Sequence, residues 1–298
     1  GFHDPVVPMD KNLYGHPDAG GWWERHSEDK VVLVGFSPIE NLPSVFWHPK
    51  LEIVLIVYVD DYKMAGRASR VLEAWTALRK HIKMGVPETA IRFLGIHQQL
   101  HHCRSNGPRS NYMEYFGDEF LEDCCTRYLE LAPKGTKLDK EVDMPCMDER
   151  KFTDQELATT GALAGSASKI IMKLLYGARA YRWDCLRTIG VLASNVTTWS
   201  VACDKQLYKL MLWVKCSIKW HMFTKCGDPM ADWKLALFAD ADLAGCIWTK
   251  KSTTGATLVI VGPNTWIPVG VLCVKQGTTA PSTPHAELIS ADRATRQL

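Results

Sequence analysis

No apolar run in this sequence is long enough to cross a bilayer as a helix. The longest, near residues 54–59 and 256–261, are strand-sized, whereas a membrane helix needs about 20 apolar residues. Zinc modules are excluded as well. The ten cysteines include no Cys-x-x-Cys pair and no finger-like Cys/His spacing. Cys124 and Cys125 are adjacent, and the run His101-His102-Cys103 has no matching ligands at standard spacing. The thiols therefore read as reduced side chains of an intracellular protein. Net charge is only +2, so any case for nucleic-acid binding rests on local patches. No internal repeat occurs, which excludes solenoids and propellers. No basic-then-apolar leader follows Gly1. With Ala-Thr-Arg-Gln-Leu at the other end, the chain is expected to be cut from a longer polyprotein.

What is present suits a globular protein of about two domains. The chain has 298 residues, 46% of them hydrophobic and 23% charged. Residues 31–36 read as a short buried strand. Residues 52–59 are β-branched and almost continuously apolar, the pattern of a strand buried on both faces. Asp60-Asp61 follow, then a second extended run, which reads as a hairpin with the aspartates at its tip. Over 67–84 the period becomes helical. Val71, Leu72, Trp75, Leu78 and Ile82 fall on one face, and Arg67, Arg70, Arg79, Lys80 and Lys83 mostly on the other. Residues 91–96 read as a strand and 111–131 as an amphipathic helix. Residues 132–150 are rich in Pro, Gly, Lys and Asp and form the best linker. Helical periodicity dominates 153–224, opening on a Thr153/Glu156 capping box. Strands return at 234–239, 256–261 and 271–274, before a final helix from Pro284.

Two adjacent aspartates repel each other. The pair is tolerable where divalent cations sit between the carboxylates. Mg²⁺ prefers oxygen ligands completed by phosphates, and two such ions serve phosphoryl transfer. Asp60 and Asp61 therefore propose a nucleotidyl-transfer site, against the plainer reading of a solvated turn. The second acidic set, Asp240 and Asp242, again ends an apolar strand. Glu287 lies one turn into the last helix, after Thr283 as N-cap. A strand-end aspartate and a helix glutamate that met in space would bind Mg²⁺ for phosphodiester hydrolysis. The plainer reading there is surface acids. The basic face of 67–83 reads either as a phosphate contact or as a solvated helix face. The tryptophans at 199, 213 and 220 fit core packing better than base stacking.

Tyr58-Val59-Asp60-Asp61 resembles the catalytic hairpin of reverse transcriptases, and the surrounding order is similar to the copia branch of retrotransposons. Lys11-Asn12-Leu13-Tyr14-Gly15 with Trp22 or Trp23 resembles that family's Leu-Tyr-Gly segment along template and nucleotide. Phe93-Leu94-Gly95-Ile96 resembles its primer-gripping strand. Tyr176, Arg179 and Arg182-Trp183-Asp184 resemble its Tyr…Arg-Pro-Asp segment, with Trp183 replacing proline. The run from Phe238 to Gly245, then Lys251 to Gly255, Trp266, Lys275-Gln276 and Ser282 to Leu288, is similar to the opening of the copia RNase H domain. Asp18 stands where the family has Gln, and His285 where it often has Glu. The family's first catalytic aspartate, upstream of Leu-Tyr-Gly, has no counterpart here.

The resemblance implies an α+β fold. A reverse-transcriptase palm over 1–96 would carry flanking helices. A thumb-like helical region and linker would follow over 97–150, a helical connection over 151–230, and a partial RNase H-like α/β domain over 231–298. It implies Asp60, Asp61, Asp240 and Glu287 as catalytic, metal-binding carboxylates for Mg²⁺ or Mn²⁺. Tyr14, Gly15, Tyr58, Phe93, Leu94, Gly95, Lys80 and Lys83 would contact nucleic acid or nucleotide. Implied partners are an RNA template, a DNA primer, an RNA–DNA hybrid and dNTPs, with no membrane. The location would be intracellular, in a cytoplasmic virus-like particle or the nucleus. The alternative is a catalytically inactive retroelement remnant that at most binds nucleic acid.

Overall fold

The computed structural model describes residues 11, 13, 15–103 and 110–298. The chain divides into two compact units, Gly1–Leu94 and Gly95–Leu298.

The first unit opens with helix α1, Ala19–Leu33. Its end corrects the strand expected over 31–36. Val31 is buried, while Val32 and Leu33 lie exposed on the last helical turn. A short apolar run does not by itself distinguish helix from strand. The helix stops in a Schellman turn: Gly35 takes φ 105°, its N–H donates to Val32 O, and the Phe36 N–H donates to Val31 O. A four-stranded antiparallel sheet follows, in the order β1 (Ser37–Pro38), β2 (Val45–His48), β3 (Ile53–Tyr58), β4 (Asp61–Ala65). β3 is not buried on both faces. Ile53 and Leu55 are fully buried, and their neighbours Val54 and Ile56 only half-buried. Helix α2, Ala68–Leu78, seats Ala74 and Leu78 on this core together with the partly buried Val71 and Trp75. Leu72, expected on the buried face, is exposed. The two-residue strand β5, Arg92–Phe93, closes the unit.

In the second unit, β6 (Ile96–Cys103) and β7 (Ser110–Phe116) form an antiparallel pair. They occupy part of the region expected to be a helical thumb, so the helix expected over 111–131 begins only after Gly117. Four helices carry the main core: α3 (Asp118–Leu131), α5 (Ala167–Ala180), α6 (Leu186–Ser194) and α7 (Val201–Cys216). The short α4, Asp154–Ala158, starts on the Thr153/Glu156 capping box with both reciprocal bonds formed. Leu121, Ile170, Ile171, Leu174, Leu207, Leu210 and Met211 are almost wholly buried in this core. Burial also pushes the Cys124 thiol up to about 12 and the Cys125 thiol to about 11. All ten cysteines are free, and the buried ones, Cys124, Cys125, Cys185, Cys203 and Cys246, pack as small apolar residues.

The remaining strands are β8 (Met222–Cys226), β9 (Lys234–Ala241), β10 (Thr253–Gly262) and β11 (Thr265–Lys275). In this unit the strands run β6-β7-β8-β11-β10-β9, all antiparallel to their neighbours. β9 pairs on one side only, and Leu235 and Phe238 on it are exposed. Helix α8, Thr283–Gln297, packs on β9 and β10 through Ala286, Ser290 and Ala294. Its N-cap is Ser282 rather than Thr283, with Pro284 in the first turn. Among the described residues, no helix is long and apolar enough to cross a membrane.

Candidate functional site

The first acidic pair lies at the turn of the β3–β4 hairpin. Tyr58 pairs with Asp61, which leaves Val59-Asp60 as a two-residue connection. Val59 adopts φ 55°. A β-branched residue in that region stores strain of about 1–3 kcal/mol, and such strain concentrates at functional sites. The surrounding fold holds the turn in place. The Trp23 indole N–H donates to Val59 O at 2.6 Å, and the Ser27 and Tyr62 hydroxyls bond at 2.5 Å. Two positions one turn apart on α1 thus fasten the hairpin to the helix. Burial pushes the Tyr62 phenol up, the Ser27 bond offsets part of that, and the charge of Asp60 adds to the rise.

Asp60 and Asp61 are both exposed, and neither enters an ion pair among the described residues. Exposed carboxylates without a protein cation keep their oxygens available to a hard metal ion. One cation on the same hairpin was not singled out from the sequence. Lys63 is half-buried on β4, with its ammonium 5.2 Å from the centre of the Phe93 ring, and burial pulls its pKa down. A lysine within a strand gave no signal in the periodicity.

The residues expected to touch nucleotide separate into groups. Gly15, Tyr58 and Leu94 line one cleft of about 1120 Å³, with Trp23, Phe46 and Ile56. Among the described residues its charged lining is Glu24 and Glu28, with no lysine or arginine. The cleft therefore offers apolar surface and negative charge, not a cradle for phosphates. Lys80 and Lys83 are exposed in the turns after α2 and do not line it. Phe93 lies under Lys63. Gly95 takes φ 74° beside the Tyr176 hydroxyl. Tyr14 lies outside the described residues.

The second acidic set divides in two. Asp240 is exposed near the end of β9, and its backbone carbonyl accepts a 2.8 Å bond from the Ser290 hydroxyl. Glu287 is half-buried on α8, three residues before Ser290. Residues at that spacing lie one above the other on a helix face. The contact therefore brings the Glu287 turn of α8 to the Asp240 end of β9. Gln276 fixes the start of that helix, donating to Ala286 O at 2.9 Å and to the Thr254 hydroxyl at 3.3 Å. Asp242 has a different role. It accepts from Thr253 N at 2.5 Å and pairs with Arg187 at 3.2 Å, while Arg187 also holds the buried Glu149 at 2.6 Å. Arg187 carried no sequence signal, because its partners lie far from it along the chain.

Among the described residues, no cluster of three or more His, Cys, Asp or Glu side chains is arranged to hold a metal ion. The hairpin turn offers two adjacent carboxylates, which suits a Mg²⁺ ion that keeps waters or takes phosphate oxygens.

The Trp23 bond carries a testable consequence. Trp23→Phe removes one hydrogen bond and is expected to cost about 1 kcal/mol. The loss should show as faster amide hydrogen exchange at Asp60 and Asp61. Unchanged exchange there would mean that the indole does not hold the turn.

The fold is a mixed α/β arrangement of antiparallel sheets, with two adjacent carboxylates at a hairpin turn. Over 304 aligned residues, covering 98% of the chain, it is 23% identical to the Retrovirus-related Pol polyprotein from transposon TNT 1-94 of Nicotiana tabacum. The chain spans about a fifth of that polyprotein's length, 21%. The likeness supports a retrotransposon Pol-derived origin. No family model matches the chain, and no solved structure matches it.

Proposed function

We propose that the chain is a segment of a copia-type retrotransposon polyprotein, carrying palm residues of an RNA-directed DNA polymerase and the opening of an RNase H domain. The observation that carries this reading is the Tyr58–Asp61 turn. Its two carboxylates are exposed and, among the described residues, enter no ion pair, on a hairpin fastened by Trp23 and Ser27. The similarity to a Pol polyprotein along nearly the whole chain supports it.

In this reading Asp60 and Asp61 hold Mg²⁺ or Mn²⁺ for primer extension on an RNA or DNA template with dNTPs. Asp240 and Glu287 hold it for cleavage of RNA in an RNA–DNA hybrid. The bound ion supplies charge stabilisation to the attacking and leaving oxygens. The protein's own part is to hold the hairpin turn of Asp60 and Asp61 in place through Trp23 and Ser27, and to bring the Glu287 turn of α8 to the Asp240 end of β9 through Ser290. Asp242, held by Arg187, sets the loop after β9 and is no ligand.

Mn²⁺ titration followed by electron paramagnetic resonance tests both pairs. Asp60→Asn with Asp61→Asn, and separately Asp240→Asn with Glu287→Gln, are each expected to weaken one class of sites by more than about tenfold. Unaltered affinity in both double variants would refute the assignment. The 298-residue chain itself is expected to show no robust primer extension, because each pair stands without a third carboxylate among the described residues. That outcome agrees with a non-catalytic remnant of the same origin. Strong extension by the purified chain would exclude the remnant.

A further inference from the structure

Residues directly opposite one another on antiparallel strands share a face, about 5 Å apart. The register of the second unit sets His101 opposite Tyr112, Tyr112 opposite Lys225, and Lys225 opposite Trp266. These four side chains form one row across β6, β7, β8 and β11. Through Val261 on β10 the row continues to Lys234 on β9. The opposite face of β7 and β8 carries Tyr115 and Met222, which pack against the helical core. The row therefore stands on the face turned away from that core.

This face is rich in rings. Trp266 is 48% exposed, and Phe223, two residues from Lys225 on the same side of β8, is 49% exposed. The Lys225 ammonium lies 5.8 Å from the centre of the Tyr112 ring. The acid within the patch is already matched. Glu114 bonds His101 at 2.6 Å and His221 at 2.5 Å. Burial pushes the Glu114 carboxyl up, but these two histidines more than offset it and hold the carboxyl below its ordinary value. What the row presents outward is ring, cation, ring, with a second cation at its far end. A lysine midway between the half-buried Tyr112 ring and the exposed Trp266 ring matches a strand of unpaired bases, in which a phosphate joins each stacked base to the next. A duplex would not suit it, because flat rings on a sheet reach base faces only where the bases are unstacked.

We infer that this sheet face binds single-stranded nucleic acid. Trp266 and Tyr112 each stack a base, and Lys225 contacts the phosphate between them. The inference uses none of the metal-binding carboxylates and stands independently of the polymerase reading.

The test is fluorescence anisotropy of a labelled oligothymidylate and a labelled oligouridylate with the full chain, over a salt series. Trp266→Ala and Tyr112→Ala are each expected to weaken binding by about 5- to 150-fold, the range of one lost base stack. Lys225→Ala should lower the salt slope by about 0.7, one phosphate contact on a single strand. Trp266→Leu keeps apolar bulk without a π-face, so it should bind weakly while melting like the parent. Trp266→Phe should retain binding. Trp248→Ala, an exposed ring in the loop between β9 and β10, should bind like the parent. Three results would overturn the inference: no binding by the parent at low salt, preference for duplex, or parent-like affinity in folded Trp266→Leu and Tyr112→Ala.

Discussion

Replacing Arg182 with Met is expected to destabilise the unit of residues 95–298 by about 3 kcal/mol, measured by urea denaturation. Arg182 is 3% exposed, just after α5. Its guanidinium bonds both oxygens of Asp184, at 3.0 and 2.8 Å, together with the carbonyl and hydroxyl of Ser217. Breaking a buried ion pair from one side costs about 3–5 kcal/mol, because the remaining charge is left uncompensated. The lower end applies here, since 36% of the Asp184 side chain is open to solvent. Arg182→Met with Asp184→Asn should recover most of the loss. The amide oxygen still accepts from the Trp213 indole N–H, and no lone charge remains.

The pH dependence of the two proteins should differ in sign. Burial pushes the Asp184 carboxyl up, but the Arg182 bonds and charge, with the Trp213 donor, outweigh it and hold the folded value below the usual one. A depressed folded pKa contributes stability that is complete above the unfolded value, about 3.9, and is lost as pH falls through the folded value. The parent should therefore lose this contribution only in that acid window. In Arg182→Met, burial acts on Asp184 without its cation. Protonation then relieves the defect, and the gap between variant and parent should narrow as pH falls. A gap that widened on acidification would show that the ion pair does not govern this site.

The second large effect is expected at the entry to α7. The Asp204 carboxylate accepts from Ala162 N at 2.5 Å, Leu163 N at 3.2 Å and the Trp199 indole N–H at 2.7 Å. Gly161 lies against the same group. A Cβ placed on it would sit 2.5 Å from Ser200 O and 2.7 Å from Asp204 Oδ2. Asp204→Ala loses three charge-assisted bonds and is expected to cost about 2–4 kcal/mol, with solvent replacing part of what is lost. Gly161→Ala is expected to cost about 1–3 kcal/mol through crowding against backbone. The two changes disturb one junction, so the double variant should lose less than the sum. Strict additivity would mean that the loop and helix are not joined through Asp204.

Much of the hairpin was legible because two rules agreed there: a β-branched run that stops at polar residues is both a strand and its end. The capping box at Thr153 and the proline opening α8 were legible from local chemistry alone. β6 and β7 were hidden for the opposite reason. Ile96-His-Gln-Gln-Leu-His-His-Cys is polar for a strand, and its alternation shows only once β7 and β8 lie beside it. The same strands hold the His101–Tyr112–Lys225–Trp266 row, which no local pattern could have assembled. The turn position of Asp60 and Asp61 was readable from sequence, whereas the fate of Asp242 was not. Its partner Arg187 is 55 residues away, and only the folded chain separates an acid already matched from one left open.

Among the described residues, the strand Lys234–Ala241 bonds a neighbour along one margin only. Peptide groups along the other margin form a ready template on which any extended polypeptide can grow. Leu235 projects to one side of it and Phe238 to the other, so an added chain would find grease both above and below. Lys234 and Asp240 are the only charges on this strand that discourage such growth, and salt mutes them. Self-association through β9 is therefore expected to rise with protein concentration and salt, as light scattering would show.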